Sequence, residues 1–251
     1  MTRAKKSLGQ NFLMHARIAD RIAQTANLNS DSVVFEIGPG TGMLTRALLK
    51  YAGKVIALEA DPALTSELRQ TFGEEIADGR LTLLEGDVRN FDPNELPKGY
   101  TIVANIPYYI TGEIIRTFLE TQNQPHSMTL LVQKEVAERI ARSKKESILS
   151  LSVKAYAVPR YAFTVPRGAF HPAPNVDSAV LYMGDISRRN FASDDEERAF
   201  FDLVHAGFAH KRKKLSKNLR DGGFSSIAIG ENVRAEDVPL AQWLTLAHEC
   251  V

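Results

Sequence analysis

The 251-residue chain contains one cysteine, Cys250, beside its C-terminus. An intrachain disulfide is therefore impossible, and a thiolate metal cluster has no ligands to use. The six histidines are scattered. His205 and His210 stand five apart and do not share a helix face as a zinc pair would, so no metal is expected. Long apolar runs are missing too. Neither a signal peptide nor a membrane span is expected, and the expected location is the cytoplasm with no membrane partner. Net charge is only +1, which by itself says nothing about nucleic acid. One segment, however, lacks acids altogether. His205 to Arg220 holds Lys211, Arg212, Lys213, Lys214, Lys217 and Arg220 without an Asp or Glu. Arg3, Lys5 and Lys6 form a second basic cluster, while acids gather elsewhere, as in Asp194-Asp195-Glu196-Glu197. Two basic stretches on a near-neutral chain suit a polyanion docked on one face. A solvated helix face would carry the same run.

Short apolar runs alternate with amphipathic segments over the first two-thirds of the chain. Val33–Ile37, Lys54–Glu59, Leu81–Leu84, Thr101–Ala104, Met128–Val132 and Ser178–Tyr182 read as strands. Thr41 to Ala52 has helical spacing, Ile18 to Ala26 forms an amphipathic helix, and Asp61-Pro62 is a helix start. This order predicts an α/β fold with a mostly parallel, seven-stranded sheet ending in an antiparallel hairpin. Residues 166–174 form a proline-rich loop. After Ser193 the pattern is helical, with Phe200 to Phe208 and Ala241 to Ala247 as helices. The expected division is a catalytic domain over 1–184 and an all-α domain over 185–251.

In open α/β sheets ligands sit at the carboxyl ends of the strands, and four such ends carry informative residues. Glu36-Ile37-Gly38-Pro39-Gly40-Thr41-Gly42 follows the first strand. A dinucleotide fingerprint would need glycine at position 43, where Met43 stands. The Gly-x-Gly-x-Gly spacing of Gly38, Gly40 and Gly42 is the form usual in S-adenosylmethionine enzymes. Glu59 ends the next strand, where a carboxylate can accept from both hydroxyls of a ribose. Asp87 can accept from an adenine amino group, although a turn or N-cap aspartate would look the same. Asn105-Ile106-Pro107-Tyr108 is the most specific. An adenine amine is a poor nucleophile because its lone pair is delocalised. The Asn105 oxygen and the carbonyl of Ile106 or Pro107 could accept both N–H bonds and aim the lone pair, with Tyr108 stacked on a flipped base.

Leu8-Gly9-Gln10-Asn11-Phe12-Leu13, Glu36 to Gly42, Asn105 to Tyr108, Gln133-Lys134-Glu135-Val136 and Phe170 to Ser178 recur in the order of one known family. The chain resembles the bacterial small-subunit ribosomal RNA adenine dimethyltransferases over nearly its whole length. It departs in Ile148-Leu149-Ser150, in Ala173 and in a short C-terminal domain. The resemblance implies the class I methyltransferase fold, S-adenosyl-L-methionine as cofactor, and two adjacent adenosines near the 3′ end of 16S rRNA in the small subunit or its precursor as substrate. It implies that Asn11, Leu13, Gly38, Glu59, Asp87 and Asn105 line the cofactor site, that Tyr108 and Phe170 flank the target adenine, and that Lys211 to Lys214 face rRNA. A monomer is expected. The competing readings are an antibiotic-resistance methyltransferase of 23S rRNA, a non-catalytic RNA-binding factor on the same fold, and a dehydrogenase, which Met43 disfavours.

Overall fold

The computed structural model describes residues 9–224, 227, 229–230 and 232–250. The basic cluster Arg3, Lys5 and Lys6, and Leu8, lie outside the described residues. In chain order the elements are β1 (Phe12–Leu13), α1 (Ala16–Thr25), β2 (Val33–Ile37), α2 (Met43–Leu48), β3 (Lys54–Glu59), α3 (Pro62–Thr71), α4 (Gly73–Ala77), β4 (Leu81–Glu85), β5 (Thr101–Asn105), α5 (Thr111–Glu120), β6 (Ser127–Gln133), α6 (Lys134–Ala141), α7 (Ile148–Tyr156), β7 (Val158–Val165), β8 (Phe170–His171), β9 (Ser178–Gly184), α8 (Asp194–Phe208), α9 (Leu215–Asp221) and α10 (Leu240–His248).

Seven strands form one sheet in the order β4-β3-β2-β5-β6-β9-β7. β2 through β6 pair in parallel, and β9 runs antiparallel to β6 with Leu130 opposite Leu181. The central strands are apolar almost throughout because a parallel sheet is covered on both faces: Val34, Phe35, Val55, Ala57, Ile102, Val103 and Ala104 are all fully buried. α1 contributes Ala19, Ile22 and Ala23 to the same core. α3 starts where Asp61-Pro62 predicts, the Asp61 Oδ1 accepting from the Ala63 N–H at 3.1 Å. The expected helix from Thr41 to Ala52 is shorter. Gly42 is left-handed (φ 79°), which holds the start back to Met43, and the helix ends at Leu48 in a turn. Strand β7 escapes the sequence pattern because Pro159 and alternating polar residues break its apolar run. It is an edge strand, where a missing N–H is tolerated. A two-stranded pair, β1 with β8, sets Leu13 opposite Phe170.

The chain forms two compact units, residues 1–137 with 160–186 and residues 138–159 with 187–251. The second therefore takes in α7, which the division at 184/185 assigned to the first. Tyr156 is the reason: it stacks on Phe201 at 5.9 Å and meets Phe191 edge-on at 5.6 Å. No strand occurs in 187–251 among the described residues. In this unit α8 is capped by Ser193, whose side chain accepts from the Glu196 N–H, and its first turn holds Asp194, Asp195, Glu196 and Glu197. The acidic cluster is thus a helix start complementing the macrodipole. Trp243 is fully buried against Phe208 at 5.8 Å. No described helix is long and apolar enough to cross a membrane.

Gly42 supplies a test of this packing. A Cβ there would lie 2.5 Å from Phe72 Cε2 and 3.0 Å from Leu68 Cδ2, on a left-handed backbone. The conformation costs a non-glycine residue about 1–2 kcal/mol, and overpacking adds about 1–3. Gly42→Ala should therefore lower the urea unfolding free energy by roughly 2–5 kcal/mol. An unchanged midpoint would contradict the contact with Phe72.

Candidate active site

The carboxyl ends of β2, β3 and β5, and the turn after β4, meet at one cavity. Its lining includes Asn11, Gly38, Gly40, Glu59, Asp87, Asn105, Pro107 and Tyr108. These eight are expected site residues drawn from five separate stretches of chain. Leu13 lines a smaller neighbouring cavity, with Gly38, Gly40 and Asn105 shared between the two. Gly42 lines neither; it packs on Phe72 and Leu68. Phe170 is not brought to the cavity either. It is 4% exposed and belongs to the hydrophobic core, held there by the pairing of β8 with β1.

Gly38 (φ 67°) has no atom within 4 Å of where a Cβ would stand, so its backbone is open to close approach. Glu59 is 5% exposed. Its Oε2 accepts from the Gly40 N–H at 2.9 Å and its Oε1 from the Asp61 N–H at 2.9 Å. Burial raises its pKa, and those two N–H groups counter part of the rise. An ionised carboxylate has about four acceptor sites, so one on each oxygen is left for a diol.

Asp87 caps the turn of Val88–Asn90, accepting from the Arg89 N–H at 3.0 Å. The Arg89 guanidinium also grips it, with Nη2 2.5 Å from Oδ2 and Nε 3.1 Å from each oxygen. The Arg89 side chain is the main reason its pKa is lowered. The cap and the cavity wall are the same residue. Arg89 was absent from the sequence reading; its signal was only its place two residues after Asp87.

Asn105 Nδ2 donates to the Asn11 carbonyl at 3.0 Å, which fixes the amide and leaves Oδ1 as the acceptor. The Pro107 carbonyl accepts from the Ile110 N–H at 3.3 Å. Tyr108 is half-buried, and its hydroxyl meets Ser178 Oγ at 2.5 Å. Burial raises the phenol pKa, with Ser178 opposing. Ser178 also went unassigned in the sequence, as did Tyr109, a cavity residue that is 60% exposed. Aromatic residues on a loop carry no periodicity to mark them.

The basic run has a different setting. Lys211 to Lys214 lie in the connection between α8 and α9, with Lys217 and Arg220 on α9; all are exposed except half-buried Lys213. The run is a loop held from beneath, not one face of a helix. Asn218 is 2% exposed, and its Nδ2 donates to the Gly207 carbonyl at 2.6 Å and the His210 carbonyl at 3.1 Å.

A family model described as ribosomal RNA adenine dimethylase matches residues 1–250. The chain belongs to this family. It is similar to ribosomal RNA small subunit methyltransferase A of Dehalococcoides mccartyi, 38% identical over 98% of this chain and 88% of the relative. The same-named protein of Fusobacterium nucleatum is 37% identical over 96% of each. Among solved structures, the 23S rRNA methyltransferase ErmE matches with TM-score 0.77 and 27% identity, covering 95% of this chain and 98% of that one. A dimethyladenosine transferase from Plasmodium falciparum matches with TM-score 0.80 and 25% identity, covering 95% and 96%. The fold is that of the class I methyltransferases, and the chain is an rRNA adenine dimethyltransferase.

One carboxylate at this edge stands apart from the others. Glu36 is fully buried, neither oxygen is hydrogen-bonded, and burial pushes its pKa from 4.5 up to about 8. Thr45 lies beside it and relieves part of that cost without a hydrogen bond of good geometry, while the charge of Glu59 adds to it. The folded state thus keeps a proton that the unfolded chain releases above about pH 4.5. Stability should fall as pH rises from there to about 8, by up to ~1.4 kcal/mol per unit from this group, and level off above. Glu36→Gln should remove that slope, so its unfolding free energy should exceed wild type increasingly from pH 5 to 8. Parallel urea-derived curves for the two proteins would show that Glu36 ionises freely.

Proposed function

We propose that the chain transfers methyl groups to N6 of two adjacent adenosines near the 3′ end of 16S rRNA, in the small subunit or its precursor. The observation that carries this reading is the convergence of Asn105, Glu59, Asp87 and the glycine loop on one cavity, in a chain whose relatives at 37–38% identity are named for the small subunit. The large-subunit enzyme ErmE is more distant at 27%. The enzyme works as a monomer in the cytoplasm without a metal. The metal-free reading rests on the scattered histidines and the single cysteine of the sequence.

The residues fit S-adenosyl-L-methionine as cofactor. Glu59 would take the ribose hydroxyls on its two remaining acceptor sites, Asp87 the adenine amine, and the open backbone at Gly38 allows close approach. Asn11 and Leu13 would complete the pocket, with Gly40 and Gly42 shaping the loop. When bound, the cofactor supplies an electrophilic methyl on a sulfonium. The chain's task is to present the amine. Asn105 Oδ1 accepts one amine N–H. The Ile106 carbonyl suits the second, since that of Pro107 already receives the Ile110 N–H. Tyr108, anchored on Ser178, provides a face for the base. Phe170 can flank it only by leaving the core. No strong base is needed, because the methylated ammonium is acidic enough to lose its proton to water. Positioning in a dry cavity then supplies much of the acceleration.

Asn105→Ala should cut single-turnover methylation of small subunits, at saturating cofactor, by a hundred- to a thousandfold, the roughly 3–4 kcal/mol lost with a placed polar group. Asn105→Asp keeps an acceptor but loses the donor to the Asn11 carbonyl, so it separates aiming the amine from anchoring that segment. A folded Asn105→Ala enzyme at near wild-type rate would remove the residue from the reaction.

Replacing Lys211, Arg212, Lys213 and Lys214 by alanine should weaken rRNA binding and flatten its salt dependence by roughly one unit of log–log slope per lost phosphate contact. Cofactor affinity should stay the same. A retained wild-type slope would mean the run meets only solvent.

A further inference from the structure

The helical unit has its own cavity of about 550 Å³, remote in composition from the cofactor site. Its walls come from the loop before α7 and the start of that helix, the end of α8, the basic connection, α9 and the turn at Ala235–Asp237. Three kinds of surface meet there. Ile148, Leu149 and Phe208 are apolar and only half-buried, although Phe208 stacks on Trp243. Asn218 spends its amide N–H groups on the Gly207 and His210 carbonyls, and its buried Oδ1 has no hydrogen-bond partner. The charged groups are unevenly neutralised. Glu236 is tied to Lys145 at 2.5 Å, Glu146 to Lys154 at 2.6 Å and Lys213 to Asp221 at 3.5 Å, while Lys211 makes no ion pair among the described residues.

These features narrow the ligand. The volume falls in the ~300–1,000 Å³ range of small-molecule sites and far exceeds what a phosphate needs. A purely apolar ligand would leave Asn218 and the cations unused. A nucleotide matches all three surfaces, with flat apolar faces, a polar edge and one anionic group. Single-stranded RNA is recognised by this combination of stacking and phosphate contact. We infer that this cavity receives one unstacked nucleotide of the rRNA, its base against Phe208 and Leu149 and its phosphate on Lys211. The inference rests on the basic run being an RNA contact and adds to it a pocket for a base, so that the helical unit distinguishes unpaired from paired RNA.

The test uses the full chain with the cofactor site saturated by S-adenosylhomocysteine. The probes are a fluorescent single-stranded uridine pentamer and a blunt-ended RNA duplex of two strands carrying no unpaired nucleotide, followed by anisotropy over a salt series. Leu149→Trp fills the cavity without changing charge, and Ser143→Trp fills it from the loop side should the first fail to fold. Either should weaken pentamer binding by roughly five- to a hundredfold, the worth of one stacked base, and leave duplex binding and the salt slope alone. The four-alanine variant should instead flatten the slope for both probes. Should it keep the slope while the tryptophan variants lose the pentamer, the basic-run reading and the phosphate contact at Lys211 are overturned and the base contact alone is supported. Wild-type pentamer affinity in both folded tryptophan variants would overturn the inference, as would equal competition by a glutamate pentapeptide, which would assign the cavity to an acidic protein segment.

Discussion

The two oxygens of Glu59 each accept one backbone N–H, from Gly40 on one side and Asp61 on the other. The first belongs to the loop leaving β2 and the second to the start of α3, so one carboxylate fixes the ligand-facing ends of two neighbouring strands. A buried charge is tolerable only when it is hydrogen-bonded, and here the bonds that satisfy Glu59 also shape the glycine loop. Glu36, on the adjacent strand, shows what happens without them. Its oxygens make no hydrogen bond of good geometry, Thr45 offsetting only part of the cost, and burial holds it protonated well into the neutral range. Two glutamates at one sheet edge therefore differ: one is pre-held by backbone donors and, on the proposed reading, accepts from ligand hydroxyls, while the other is a largely neutral part of the core.

The remaining polar groups are pre-held in the same manner. Asp87 is gripped by Arg89 through both oxygens, and Asn105 by the Asn11 carbonyl. Each is oriented before a ligand arrives, which reduces the ordering cost of binding. The grip on Asp87 has a further consequence. Its two oxygens already take the Arg89 N–H and the guanidinium, so an amine reaching Asp87 shares or displaces one of those bonds. Arg89 is on the exposed side of the pair, which leaves it room to shift.

The sheet was legible because its strands are buried on both faces and read as unbroken apolar runs. The edge strand β7 was not, because solvent on one side and Pro159 erase that pattern. The site was legible wherever a residue type is forced by chemistry at a strand end, as with Gly38, Glu59 and Asn105. It was illegible where a side chain acts by holding another: Arg89, Ser178 and Asn218 gain their roles only from folded distances. Phe170 is the reverse case. Its place in a motif marks it as a base-flanking residue, but the pairing of Leu13 with Phe170 draws it into the core. The domain limit was misplaced for a related reason: Tyr156 finds its aromatic partners in Phe191 and Phe201, more than thirty residues along the chain.

The proposed rRNA contact asks a chain of net charge +1 to attract a polyanion, and the charge arrangement of α8 suits that reading. Its first turn takes Asp194, Asp195, Glu196 and Glu197, where the positive end of the helix dipole favours them. The basic run begins just beyond its other end, where exposed carbonyls favour cations. Fifteen residues at about 1.5 Å each separate the two by ~20 Å. The Debye length at physiological salt is about 8 Å. On the proposed reading, a phosphate at Lys211 to Lys214 is thus screened from the four acids of that first turn, while Lys213 keeps its own partner in Asp221 at 3.5 Å. Asn218 keeps the separation effective by tying the loop to the carbonyls of Gly207 and His210, so the cations stay at that end of the helix. Net charge is a property of composition, whereas the field an RNA backbone meets is set by the length of one helix and the anchoring of the loop that follows it.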